Sequence, residues 1–537
     1  MSELRLFGRS AAPGVAEGVV AVLDSTRRSK REAGAQAEEV LALRQAVLQA
    51  RAEIELLAEK STGDAADMLG FQVVMLSDDE LVRPAQEAIE AGQSAAAAWE
   101  AAMDAEIAGY RESGDDHFSA RTADLEDIRD RVLAHLTPGV AAAVIPPGSV
   151  IVAADLPISR FLAIDWAQGG AIVLTEGSPT SHVAMLARAR GVPMIVGLNG
   201  ASVALAAGRE ALVDAAAGEV VLDPTDTTRV AFAARAKKEK TADAAAAAFR
   251  DRPARTRDGT RIALNLNIGS AAELEGIDPA ICDGVGLVRT ELLFRAPGGL
   301  PDEETQYQAY RRIMAWAQGR PVTIRTLDVG GDKPISGVTV DGESNPFLGL
   351  RGIRLSLRNP ALLRTQLRAL ARAAVDVDLR VMLPMVTTPA ELQASRQLLA
   401  EALSSLTHDN VPASRPKLGI MVEVPAAAIA IDQFDADFFS IGSNDLTQYV
   451  TAAGRDIGAV ADLADPLNPA VLRLIASVAW HGREIGREVS LCGDAGGEPR
   501  VIGALLRAGL RSLSVAPALV GAAKQEIAAI DLRDPAP

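Results

Sequence analysis

From about Thr260 to the C-terminus, short β-prone runs alternate with longer amphipathic stretches. Eight runs can be read: "RIALNLNI", "GVGLVR", "PVTIRTLDV", "FLGLRG", "LRVMLPMV", "LGIMVEVP", "DFFSIGSN" and "VSLCGDAG". Helical patterns such as "ALLRTQLRALARAAV" and "PAELQASRQLLAEAL" fall between them. Parallel strands need crossover connections, and eight strand–helix units over residues 259–537 have the size and rhythm of a (β/α)₈, TIM-type barrel. A doubly wound open sheet has the same alternation, so the strand count leaves it open.

Polar residues fall in phase with these runs. Arg289 ends the second; Arg325 and Asp328 end the third. Arg351 follows the fourth, Glu423 the sixth, Asn444 and Asp445 the seventh, and Cys492 the eighth. In a barrel such positions converge at the C-terminal face, where active sites are built. Arginine forks suit phosphate and carboxylate. Glu423 and Asp445 are hard oxygen donors suited to Mg²⁺ when substrate oxygens complete the shell. A small phosphorylated acid is the expected substrate. Cys492 could exchange a proton, and a small buried hydrophobe is an equal reading. Cys282 precedes its strand, the wrong end for a barrel site, and is read as structural.

The N-terminal half has another texture. Residues 1–24 carry short β-prone runs punctuated by Gly and Pro. Across 25–142 the pattern is helical. Val40, Leu43, Val47, Ala50, Ile54 and Leu57 recur at alternating spacings of three and four, giving one apolar seam on a helix. From 143 to 225 strands return: "GSVIVAADL", "GGAIVLTEG", "VPMIVG" and "EALVDAAAGEVVLDP", with "SHVAMLARARG" as a helix closed by Gly191. The helical block therefore reads as an insertion in one α/β domain formed by 1–24 and 143–225. Residues 227–251 are Ala-rich, charged and free of Gly and Pro, so 226–258 is read as a semi-rigid helical linker.

Composition narrows the function. A net charge of −16 disfavours non-specific nucleic-acid binding, and the basic clusters "RRSKR" (27–31) and "KKEK" (237–240) read as solvated helix faces. No run of about 18 apolar residues lacks charges, so no membrane insertion is expected. "MSELRLFGRSAAPG" lacks the apolar core of a secretory signal. Two cysteines cannot form a disulfide framework and fit a reducing cytoplasm.

Of five histidines, His182 stands out. "GSPTSH" sets Thr180, Ser181 and His182 at the first turn of a helix, where free N–H groups favour an anion. A neutral imidazole is a nucleophile, and a phosphate attached to it would sit at that positive end. A capping role is the alternative; no Cys or second His lies within metal spacing. His117, His135, His408 and His481 read as structural.

These motifs together resemble enzyme I of the bacterial sugar phosphotransferase system, the phosphoenolpyruvate–protein phosphotransferases. "TSHVAMLARARGVPMIVG" is similar to the family's phosphohistidine motif. "GVGLVRTELLF", "TIRTLDVGGDKP", "NPFLGLRGIR", "MLPMV", "GIMVEVPAA", "FFSIGSNDLTQYVTAAGR" and "LCGDAGGE" resemble its barrel motifs in order. "FQVVMLSDDEL" and "RTADLEDIRDRVL" resemble its helical domain. The resemblance implies that phosphoenolpyruvate binds the barrel with Mg²⁺ and phosphorylates Nε2 of His182. The phosphoryl group then passes to a histidine of the carrier protein HPr, docked on the helical domain, starting a relay for sugar uptake. It implies that Arg289, Arg325, Arg351 and Arg455 hold the substrate's phosphate and carboxylate, with Asn444 assisting. Glu423 and Asp445 would hold Mg²⁺, and Cys492 would protonate the enolate carbon. It further implies a homodimer through the barrel domain and a histidine domain that swings between barrel and HPr.

Three positions depart from the family pattern. Gly177-Ser178-Pro179 stands where Gly-Gly-Arg is usual, Gly454-Arg455 replaces Asp-Arg, and Cys492-Gly493-Asp494 replaces Cys-Gly-Glu. None removes the nucleophile, a metal ligand or the thiol, so an active enzyme with altered kinetics is expected. A non-catalytic enzyme I paralogue is the alternative. A pyruvate phosphate dikinase or phosphoenolpyruvate synthase would need a large ATP-binding domain, for which the chain ahead of His182 has neither a P-loop nor room.

Overall fold

Strands buried on both faces carry unbroken apolar runs, and the first half of the chain has several of them. The computed structural model describes residues 3–23, 33–59, 64–112, 116–137, 145–177, 181–198, 206–294, 300–330, 338–339, 343, 345–454, 460 and 463–534. The chain divides into two compact units, Met1–Thr241 and Ala242–Pro537.

The first unit opens with β1 (Leu4–Phe7), β2 (Arg9–Ala12) and β3 (Val15–Val22). Helices α1 (Gln36–Glu59), α2 (Asp64–Leu76), α3 (Asp79–Glu90), α4 (Ala95–Glu112) and α5 (Asp116–Leu136) follow. The chain returns through β4 (Val150–Ala153), α6 (Ile158–Ala163), β5 (Ala171–Leu174), α7 (His182–Arg190), β6 (Met194–Val196), β7 (Glu210–Asp214) and β8 (Glu219–Leu222). These strands make one sheet in the order β1-β8-β7-β3-β4-β5-β6-β2. Strand β3 is the parallel neighbour of β4, with Val20 opposite Val150, and the antiparallel neighbour of β7. Helices α1–α5 thus interrupt a sheet whose flanking strands pair directly, as an insertion must.

Alternation along the strands splits the apolar residues between two cores. Ile172, Leu174, Met194 and Val196 pack with Val183, Ala184 and Ala187 of α7, while Val173, Ile195, Val213 and Val220 pack on the other face. The inserted helices close around their own core, centred on the fully buried Trp99. The apolar seam of α1 lies there: Leu43, Val47, Ala50 and Ile54 are buried, with Val40 and Leu57 half-buried beside them. Each fully buried aliphatic side chain of this kind contributes about 1.5–3 kcal/mol. A helix, α8 (Asp226–Ala247), leaves the sheet and crosses the boundary between the units.

The second unit contains β9 (Ala263–Ile268), β10 (Gly284–Val288), α9 (Glu291–Phe294), α10 (Glu303–Ala317), β11 (Val322–Arg325), α11 (Ile353–Arg358), α12 (Pro360–Ala373), β12 (Leu379–Leu383) and α13 (Pro389–His408). It continues with β13 (Lys417–Val422), α14 (Pro425–Ile429), β14 (Phe439–Ile441), α15 (Ser443–Thr451), α16 (Pro469–Glu484), β15 (Val489–Leu491), α17 (Pro499–Arg507), β16 (Ser512–Val515) and α18 (Val520–Ala529). Strands β9–β16 close into an all-parallel barrel. The expected TIM-type barrel is present and the open sheet is excluded.

Two strand assignments change. "FLGLRG" is not a strand: Pro346–Leu348 is a 3₁₀ turn, and Gly352, at φ +59°, leads into α11. Arg351 therefore lies in the long β11–α11 connection. The missing strand is β16, "SLSV". Its Leu513 and Val515 face the helices, while Ser512 and Ser514 face the barrel interior, so its inward half reads as loop. Counted on the barrel, Glu423 follows the fifth strand, Asn444 and Asp445 the sixth, and Cys492 the seventh. No helix among the described residues is long and apolar enough to cross a membrane.

Candidate active site

Outward-facing residues of the barrel strands, such as Ile324, Ile420, Val422 and Ile441, join the core against the helices. Their inward neighbours at the C-terminal ends are then left to line the mouth, and there they are charged. Arg325 is the last residue of β11 and is buried. Its guanidinium lies 2.9 Å from Glu291 and 3.0 Å from Asp328. Arg351, 1% exposed, grips Asp328 with two nitrogens at 3.0 and 3.3 Å and reaches Asp445 at 3.1 Å. Its Nη1 also lies 3.3 Å from the Tyr449 hydroxyl, which donates to Phe347 O at 2.6 Å. Burial works against both guanidinium charges, and the neighbouring carboxylates outweigh it, so both arginines stay charged. Arg325 Nε is buried without a hydrogen-bond partner among the described residues, a donor that a substrate oxygen could satisfy.

Glu423 follows β13 and is fully buried. Its Oε1 accepts from Met385 N at 2.6 Å. Met385 holds φ +58°, a left-handed conformation unusual for a non-glycine residue. Gly442 has no room for a side chain: a Cβ there would sit 2.8 Å from Glu423 Oε2. Desolvation, then the charges of Asp445 and Asp328, push the Glu423 carboxyl up to about 8. A divalent cation would relieve that repulsion. Among the described residues no three His, Cys, Asp or Glu side chains form a self-sufficient metal site. Two carboxylates are the incomplete shell that Mg²⁺ takes when substrate phosphate supplies further oxygens, so Glu423 and Asp445 fit that ion.

Asn444 opens α15 and is tied to Asp494. Its Nδ2 donates to Asp494 Oδ2 at 2.8 Å, and its Oδ1 accepts from Asp494 N at 3.0 Å. Arg289, just past β10 and half exposed, lies 3.8 Å from Asp494 Oδ1. Asp494, a departure from the family pattern, thus connects two expected substrate ligands. Cys492 follows β15 and is 2% exposed among Leu287, Met382, Met421 and Phe438. Burial pushes its thiol up to about 11, against hydrogen bonding from Ser440 and the charge of Arg325. A thiol so held stays protonated at neutral pH. Cys282 is buried before β10, donates to Pro279 O at 3.5 Å, and is likewise raised by burial.

In the first unit, His182 is the first residue of α7. Ser181 caps the helix, its Oγ accepting from Ala184 N at 3.2 Å, and Gly191, at φ +65°, closes it. The side chain of His182, together with Pro179 and Thr180, lies outside the described residues, as does Arg455. His135 contacts Glu53 at 3.1 Å, and His481 packs edge-on against Phe439.

The structure brings Arg325, Arg351, Glu423 and Asp445 into one cluster, and Arg289 and Asn444 into a second around Asp494. Sequence reading missed Glu291, Met385 and Tyr449. Glu291 was legible only as part of "RTELLF"; a backbone N–H such as that of Met385 has no sequence signal.

Residues 243–532 match the PEP-binding domain of PEP-utilising enzymes, 145–218 their mobile domain and 7–121 their N-terminal domain. The chain is 36% identical over 532 residues to a phosphoenolpyruvate-protein phosphotransferase of Enterococcus faecalis, covering 96% of this chain and 92% of that one. It is 38% identical over 488 residues to a protein of the same name from Haloferax volcanii, covering 89% and 85%. It also matches multiphosphoryl transfer protein 1 of Escherichia coli at 33% identity over 539 residues, covering 98% of this chain and 64% of that one. With relatives aligned across nearly its whole length, the chain belongs to the phosphoenolpyruvate-protein phosphotransferase family.

Proposed function

We propose that this protein takes the phosphoryl group of phosphoenolpyruvate onto Nε2 of His182, releases pyruvate, and passes the group to a histidine of the carrier HPr. The observation that carries this reading is the cluster of two buried, charged arginines with Glu423 and Asp445 at a barrel mouth that also holds Asn444, Arg289 and a protonated thiol. Phosphoryl transfer demands positioning and neutralisation of oxygen charge more than covalent help. In this reading Arg325, Arg351, Arg289 and Arg455 hold the phosphate and carboxylate, and Asn444 hydrogen-bonds a phosphate oxygen. Glu423 and Asp445 would hold Mg²⁺, which when bound neutralises phosphate charge. The neutral imidazole of His182 attacks phosphorus, the phosphorus–oxygen bond to the enolate breaks, and the Cys492 thiol gives its proton to the enolate carbon. The new phosphohistidine lies at the positive end of α7, which favours its charge.

The partners follow from the same reading. Leu41, Leu48 and Leu56 of α1 and Val74 of α2 are exposed on two helices packed together, which supports HPr docking on the helical insertion. Ile429 and Trp480, exposed on the neighbouring helices α14 and α16, support a homodimer through the barrel. Two buried free thiols support a reducing cytoplasm. The test is incubation with labelled phosphoenolpyruvate and Mg²⁺. Acid-labile label on the wild-type protein and none on His182→Ala is expected; label undiminished in His182→Ala would overturn the assignment.

A further inference from the structure

Every forward turnover costs Cys492 its proton in the reading above, and the thiol is sealed among Leu287, Met382, Met421 and Phe438. With substrate or product in the C-terminal mouth, the proton must return from another side. The barrel interior offers one. Ser440 on β14 and Ser490 on β15 are register partners in adjacent strands. Both face inward, because Phe439, Ile441 and Leu491 beside them pack outward. The Ser490 hydroxyl donates to Ser440 Oγ at 3.0 Å, the Cys492 thiol donates to Ile441 O at 3.7 Å, and Ser440 stands close enough to the sulfur to favour its ionisation against burial. In this short chain the Ser490 donor is directed inward, toward Ser440.

The other end of the chain opens on a cavity. At the N-terminal mouth of the barrel, a space of about 430 Å³ is lined by Ser490, Asn265, Thr323 and Ser512, with Arg261 and Glu488 exposed at its rim. The walls also include apolar Val285 and Phe438, and the hydroxyl and amide groups among them give waters in a space of that volume hydrogen-bond partners. The interior here is unusual for a barrel of this kind, whose layers are normally filled by bulky branched residues. Ser440 is fully buried while Ser490 is partly accessible, so the pair spans from the sealed thiol to solvent.

We propose that Ser490 and Ser440 relay protons between solvent at the N-terminal mouth of the barrel and Cys492, on the side of the barrel opposite the substrate. The inference rests on Cys492 being the proton donor. In the donating step the S–H bond breaks and a C–H bond forms at the enolate carbon, leaving a thiolate. Ser440 then passes its hydroxyl proton to sulfur, Ser490 replaces it from its own hydroxyl, and water in the cavity replaces that one. The net change is one proton drawn from bulk solvent and one S–H bond restored. Both serine positions are positioning residues for this proton rather than contacts of the substrate.

The test separates carbon exchange from proton exchange. With phosphoenolpyruvate, carbon-labelled pyruvate and Mg²⁺ in deuterium oxide, label moves between the two compounds as Cys492 alternately gives and takes a proton. That alternation needs no solvent proton, whereas deuterium enters pyruvate only when Cys492 trades with solvent. In Ser440→Ala and in Ser490→Ala, deuterium incorporated per carbon exchanged is expected to fall roughly tenfold or more, within the usual range of acid–base effects. Ser440→Thr, which keeps the hydroxyl, is expected to restore it. A wild-type ratio in both alanine variants, with carbon exchange lost in Cys492→Ala, would overturn the relay alone. Carbon and deuterium falling together in the alanine variants would also overturn it, since that is the mark of a structural role. Undiminished carbon exchange in Cys492→Ala would instead overturn the role of the thiol on which the inference rests.

Discussion

Arg351 illustrates how single residues at this mouth are held. Its charge is buried, and hydrogen bonds to Asp328, Asp445 and Tyr449 make that burial tolerable. Such a network is worth little as net stability, but it fixes the orientation of the guanidinium fork. Cys492 gives a prediction with a sign. Burial raises its thiol from an ordinary 9.0 to about 11. Below pH 9 it is protonated both folded and unfolded. As pH rises from 9 toward 11 the unfolded chain ionises first, so the stability this thiol contributes is lost across that window. Cys492→Ala should therefore lose less stability than wild type between these pH values, as read by chemical denaturation. A wild-type alkaline slope in that variant would contradict the burial argument. Asp494 adds a caution about resemblance: one methylene shorter than the usual Glu, it still reaches Asn444 and Arg289.

At the scale of elements, helices were the most legible. The seam of α1 and the stop at Gly191 follow from helical period and from glycine's tolerance of positive φ. Strands of the barrel were harder, because only their outward half must be apolar. "SLSV" is half serine and has no unbroken apolar run; "FLGLRG" has the apolar content of a strand but two glycines and a preceding proline that turn it. Exposed apolar residues on an otherwise well-packed element call for another explanation. Leu48 stands 61% exposed on α1, away from the core its neighbours Val47 and Ala50 fill. Leu48→Asp is expected to slow phosphoryl transfer to HPr about tenfold or more, the cost of one lost interface anchor, while labelling from phosphoenolpyruvate stays unchanged. Equal loss of both activities would show that the substitution damages the fold instead.

At the scale of the whole molecule, the chain makes two units that fold around separate cores, joined by α8. In the proposed relay the donor site is the barrel of the second unit, while His182 belongs to the first. A prediction about assembly belongs here. Trp480, 54% exposed on α16, is a large apolar side chain with no packing reason to face water. Trp480→Glu is expected to shift a homodimer toward monomer by sedimentation, by about tenfold or more in dissociation constant. An unchanged sedimentation profile in a dimeric wild type would move the interface elsewhere.

The sequence by itself determined the alternation of strands and helices, the interrupted α/β sheet, and the phase of Arg289, Arg325, Glu423, Asp445 and Cys492 with strand ends. Those follow from local rules: period, turn chemistry, and the fixed direction of parallel strands. Only the tertiary structure decided which connection carries Arg351, which serines complete the barrel, and which carboxylates surround the arginines. Those depend on contacts between residues far apart in the chain, such as Arg351 with Asp445 or Asn444 with Asp494, whose geometry exists only once the barrel closes. The hydroxyl pair of Ser490 and Ser440 is of the same kind: two serines with no signal in sequence, joined because β14 and β15 are neighbours in register.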